Sequence, residues 1–188
     1  MRLITLVVLT VAMIALTSSA QGPYDDPKPL PEQRAADTYS VYEAALPKPI
    51  WGGAYRGEEY YIVDRAIKPN SGWRPEQCMH PPEELRVKVG EMLDDLAVQA
   101  HAYTLETRLK LTKPYQFVSN DPAERRDAAG NKLPAGTKVI QLGIVSFSKD
   151  HSLASVVVWT RGGSQWRVFK RGENGWEEQR WAVCGAVI

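Results

Sequence analysis

Cysteine and histidine are scarce in this chain, two and three residues among 188. Only Cys78-Met79-His80 places such side chains close together, and no second pair at recognisable spacing completes a metal site. No calcium-loop pattern and no Gly-x-Ser-x-Gly turn occurs either, so neither a cation site nor a nucleophile elbow can be read from the residues. No metal and no cofactor is expected. Charge imbalance is missing as well: 23 Lys+Arg face 22 Asp+Glu, a formal net charge of +1. That balance gives no electrostatic case for nucleic acid or an anionic membrane as the main partner. What remains, 44% hydrophobic and 24% charged residues, is an ordinary globular composition.

One uncharged apolar run stands out, from Leu3 to Leu16 behind Arg2. It is short for a bilayer, which needs about 20 residues. Thr17-Ser18-Ser19-Ala20 then offers small residues where a signal peptidase reads. A signal peptide over 1–20, cut after Ala20, is the expectation. It implies a secreted or periplasmic protein that is not an integral membrane protein once cleaved. Residues 21–31, with four prolines, read as an extended spacer, and 32–188 as a single domain. In an oxidising compartment Cys78 and Cys184 read first as a disulfide. Such a long closed loop would contribute roughly 4–5 kcal/mol at most.

Along that domain, Ala35, Tyr39, Tyr42 and Leu46 recur at helical spacing and predict a helix from about 32 to 46, stopped at Pro47. Residues 59–67 (EYYIVDRAI) predict a strand. Leu85, Val89, Met92, Leu93, Leu96 and Ala100 form one apolar stripe behind the helix-opening Pro81-Pro82-Glu83-Glu84, predicting a helix over about 83–100. Residues 101–119 fit either a helix or a strand. Four β runs follow, 138–148, 153–161, 165–171 and 176–183, separated by gaps that join only antiparallel neighbours. The expected fold is therefore α+β, with helices packed on a C-terminal four-stranded antiparallel β-meander and a further strand near 59–67. Helices would cover one face of the inner strands and loops the other.

The segment from Ile144 to Val183, with its Phe147-ended strand, Asp-containing turn, Gly-rich turn, Asn174-Gly175-Trp176 and late Cys184, resembles the C-terminal pattern of a group of secreted bacterial proteins of uncharacterised function. Lys113-Pro114-Tyr115-Gln116-Phe117-Val118-Ser119 fits the same resemblance. The extra cysteines that members often carry near the Gly-rich turn are missing from Arg161-Gly162-Gly163-Ser164. The resemblance implies an exported α+β domain and brings no activity with it.

Four of the six tryptophans, Trp159, Trp166, Trp176 and Trp181, lie in the last 30 residues. Strand alternation places Trp166 with Val168 and Lys170, and Trp181 with Glu177 and Gln179. A partly exposed face carrying Trp166, Trp176 and Trp181 beside Arg167, Lys170 and Arg171 would suit a protein, peptide or glycan partner. The commoner place for such rings is a sheet-to-helix core, because large aromatics are mostly buried. The acidic pairs Glu58-Glu59, Glu83-Glu84, Asp94-Asp95 and Glu177-Glu178 are adjacent in sequence, so their members do not face the same way. The leading expectation is a non-catalytic binding or interaction module of the cell envelope. The alternative is a secreted hydrolase with dispersed residues, served by His80, His101 or His151 as base.

Overall fold

The computed structural model describes residues 26–46, 59–69, 79–160, 162–182 and 184–186. Their elements run β1 (Lys28–Pro29), α1 (Glu32–Ala45), β2 (Tyr60–Ile67), a one-turn helix Glu83–Leu85 leading into α2 (Arg86–Val98), then β3 (Ala102–Thr104) and β4 (Tyr115–Val118). β5 (Val139–Gly143), β6 (Ser146–Phe147), β7 (Leu153–Thr160), β8 (Gly163–Gly172), β9 (Gly175–Glu178) and β10 (Cys184–Ala186) complete the described strands. All ten strands join one mixed sheet.

Three long strands, β2, β7 and β8, form its spine, and short strands share their edges in pairs. One edge of β2 pairs antiparallel with β3 through Arg65–Ile67 and parallel with β4 through Tyr60–Val63; the other edge pairs parallel with β5. β7 takes β5 and β6 along one edge and β8 along the other. The outer edge of β8 is divided between β9 and β10.

Strand alternation then decides what each helix covers. Ala154, Val156 and Val158 of β7 belong with Phe169 to the cluster that buries Ala35, Tyr39, Tyr42 and Ala45 of α1. Leu153 and Val157, with Trp166 and Val168 of β8, belong to a second cluster containing Val89 and Met92 of α2. The helices therefore lie on opposite faces, and β7, buried on both, has to be apolar on both. α1 presents a broad buried stripe, and its C-terminal end is capped by Arg167, whose Nη1 donates to the Ala45 carbonyl at 2.8 Å. A cation there meets the negative end of the helix dipole.

Several expectations are corrected by this arrangement. Among the described residues the fold is a ten-stranded mixed sheet with two helices, not an α+β arrangement of helices on a four-stranded β-meander. The local turns disclose the β7–β8–β9 pairings, but β2, β3, β4 and β5 are brought in by pairings between distant segments, some of them parallel, that no turn announces. The single run expected over 138–148 breaks at Ile144-Val145 into β5 and β6. The run expected over 176–183 is β9 followed by a one-turn helix Arg180–Ala182. The open segment 101–119 resolves into β3 and β4.

The described residues hold no complete disulfide. Cys184 is buried and is not a free thiol, but Cys78 lies outside the described residues, so the expected Cys78–Cys184 bridge is not a feature of the described structure. The expected signal peptide over 1–20, residues 21–25 of the spacer, Pro47 and Arg161 also lie outside them. No described helix is long and apolar enough to cross a membrane.

Candidate functional site

Asp37, in the first half of α1, collects an imidazole and a guanidinium from distant parts of the chain. Its Oδ2 lies 2.9 Å from Nδ1 of His151 in the β6–β7 turn, and its Oδ1 pairs with the Arg171 guanidinium near the end of β8. Asp37 lies on the sheet side that α1 covers, and Arg171 is opposite Trp176 in the β8–β9 register, which sets its side chain on that side too.

The aromatic rings order the rest. His151 stacks on Phe147 with centroids 4.7 Å apart and planes 8° from parallel. Phe147 meets Trp176 at 5.9 Å, and the Arg171 guanidinium lies over the Trp176 ring at 4.8 Å. The indole Nε1 donates to Ser40 Oγ at 2.9 Å. His151 has a φ of 53°, the only positive value at a described non-glycine residue. A left-handed residue with a large side chain is uncommon and asks for a local reason. Here the reason is visible: the turn delivers the imidazole onto Phe147 and Asp37.

That turn is held from both faces. Lys88 of α2 donates to Asp150 Oδ2 at 2.7 Å and to Ser152 Oγ at 2.8 Å, and Glu91 accepts from the Lys149 amide at 3.1 Å. Within the turn Asp150 Oδ1 accepts from Ser148 Oγ, the Ser152 amide and Ser152 Oγ. Burial alone would raise the Asp37 carboxyl, yet the hydrogen bonds from His151 and Arg171 outweigh it and hold the group below the ordinary aspartate value. Asp37 is thus a carboxylate at neutral pH, and an ionised partner favours the imidazole tautomer that donates from Nδ1 and turns Nε2 outward.

The sequence-derived candidates separate. Trp166 is 2% exposed in the α2-side cluster, so it is core. Trp181 sits in the one-turn helix Arg180–Ala182 and packs against that same cluster, not on a strand with Glu177 and Gln179. Trp176 is half-buried at the site just described. Of its expected cationic neighbours only Arg171 is beside it: Arg167 is buried at the end of α1, and Lys170 takes the opposite strand face. His80 precedes the one-turn helix before α2, and His101 lines a 520 Å³ cavity with Pro29, Pro31, Val98, Gln99 and Tyr103. No described hydrogen bond joins His80, His101 and His151 to one another, and the described residues contain no group of three or more potential metal ligands.

Sequence reasoning missed Asp37, Phe147 and Ser40 as site residues. Asp37 lies 114 positions from His151, and its helical neighbours give only the ordinary pattern of an amphipathic helix. The one local sign was a histidine in a short turn. No protein-family model, no curated protein and no solved structure matches this chain.

Proposed function

We propose that the chain is an exported, non-catalytic interaction module of the cell envelope, and that Arg171 and Trp176 centre its contact surface. The observation that carries the reading is the Arg171 guanidinium laid on Trp176 and anchored by Asp37. Arginine and tryptophan dominate binding energy at interfaces, and a cation held in place before binding loses less entropy when it binds. The capped indole face speaks for a protein or peptide partner, because sugar stacking requires a bare ring. Export rests on the N-terminal pattern at residues 1–20, and the resemblance of 113–183 to secreted proteins agrees with it.

The test is site-specific photo-crosslinking from position 173, in the turn between β8 and β9, in an exporting host. Discrete adducts that vanish in an Arg171→Ala/Trp176→Ala variant are expected. Adducts unchanged by that double substitution would refute the assignment of the surface.

One observation favours a second reading, hydrolysis: Asp37 orients His151 as a carboxylate orients a general base. No described serine or cysteine side chain hydrogen-bonds to the imidazole, so water would be the nucleophile. Turnover of a chromogenic ester that disappears in His151→Gln would move the assignment to this reading.

A further inference from the structure

Resting on the interaction-module reading, we infer that Arg171 and His151 form a preorganised receptor for a carboxylate carried by an acidic peptide segment of the partner. The guanidinium has five N–H donors in a fixed fork. Among the described residues its only side-chain hydrogen-bond partner is Asp37, and the Arg171 side chain is 44% exposed. Two things fix its plane before any ligand arrives: the Trp176 ring beneath it and the Asp37 carboxylate at one end. The exposed side chain leaves its remaining donors available as a fork, which fits a carboxylate through two parallel hydrogen bonds.

His151 extends the receptor. Asp37 uses one oxygen for each partner, so the imidazole and the guanidinium sit on either side of a single carboxylate. The imidazole is held against Phe147, and its Nε2 makes no hydrogen bond among the described residues. The Arg34 guanidinium lies 5.2 Å from the Phe147 ring centroid and pairs with Asp95. Charged groups near the receptor include Asp37, Arg171, Arg34, Asp95 and the Asp150–Lys88 pair at the turn that carries His151, and the Arg171 side chain is 44% exposed. A charged, partly exposed receptor suits a side-chain or terminal carboxylate on an extended segment better than a ligand that must be enclosed.

The experiment follows the Arg171 Nε–Hε and Trp176 Nε1–H resonances of the ¹⁵N-labelled mature protein. The probes are Ac-Glu-Glu-amide, Ac-Gln-Gln-amide and sodium glucuronate, each at ionic strength matched with sodium chloride. Saturable shifts with the glutamyl probe alone are expected. Arg171→Lys, which keeps the charge and loses the fork, should weaken that response roughly tenfold. The Trp176 Nε1–H signal, bonded to Ser40, reports that the variant remains folded. Equal shifts with chloride, or an undiminished response in Arg171→Lys, would overturn the carboxylate receptor; an equal response to glucuronate would overturn the peptide class. If crosslinked adducts persist in Arg171→Lys while the glutamyl probe fails, the interaction surface stands and only the ligand chemistry falls.

Discussion

At the scale of single residues, two glycines in opposite surroundings show how far packing outweighs propensity. A Cβ on Gly143 would stand 2.9 Å from the Val157 carbonyl oxygen and 3.0 Å from its amide nitrogen. Those are backbone atoms of the central strand and cannot swing aside, and the Gly143 carbonyl also accepts from the buried Tyr42 hydroxyl at 2.8 Å. Gly143→Ala should lower stability by about 1–3 kcal/mol through overpacking. Gly90, in the middle of α2, is exposed, and a methyl group added there would meet nothing within 4 Å. Gly90→Ala should raise stability by about 0.5–1 kcal/mol, because alanine loses less backbone entropy in a helix. Urea denaturation of the two variants checks both signs. The sequence shows that Gly90 weakens its helix, since that follows from helical spacing alone. It cannot show the tightness at Gly143, which exists only once β5 and β7 are paired.

At the scale of elements, the decisive contact is made where a strand ends. β5 stops at Gly143, and the next strand, β6, would otherwise expose the unpaired edge groups of its backbone. Side chains from both helices fill that edge. Asp95 of α2 accepts from the Phe147 amide at 2.9 Å, while Gln99 and Arg34 donate to the Val145 carbonyl at 3.1 and 3.3 Å. Arg34 of α1 meets Asp95 in a two-pronged pair at 2.8 and 2.7 Å, so helices from opposite faces are tied together around the strand. Asp95→Ala would strand the Arg34 charge and the Phe147 amide in a setting where both side chains of the pair are about one-fifth exposed. The expected loss is about 2–3 kcal/mol, with faster amide exchange at Phe147; an unchanged denaturation midpoint would refute the brace. Both helices were legible from their apolar stripes, as were β7 and β8 from their turns. The break between β5 and β6 was not, because Ile144-Val145 is as apolar as the strands beside it, and only the side-chain hydrogen bonds show where pairing changes partner.

At the scale of the whole molecule, parallel pairing and acid sensitivity have one origin: segments far apart in sequence meet only in the folded state. The β2–β5 pairing joins Tyr61 to Val139, and the Asp37 and Asp95 carboxylates join α1 and α2 to residues between 145 and 171. Neither kind of contact leaves a periodic mark on the sequence, which is why the turns joining β7, β8 and β9 were legible while the mixed sheet and its site were not. The two carboxylates also set how stability depends on pH. Burial would raise the Asp95 carboxyl, but the hydrogen bonds from Arg34 and the Phe147 amide overcome it, and like Asp37 it is held below the ordinary value. In the unfolded chain both return to about 3.9. The unfolded state therefore takes up protons first as pH falls, and the stability these groups contribute is complete above that value and lost as pH drops through their folded-state values. Urea midpoints measured from about pH 7 down to about pH 2 should stay level on the neutral side of these groups and decline below about pH 4. A doubly substituted Asp37→Asn/Asp95→Asn protein should start lower at neutral pH and decline less steeply, so that the two curves approach one another in acid. Parallel curves would mean that the acid sensitivity arises elsewhere and that neither carboxylate holds the helices to the sheet in the way the hydrogen bonds imply.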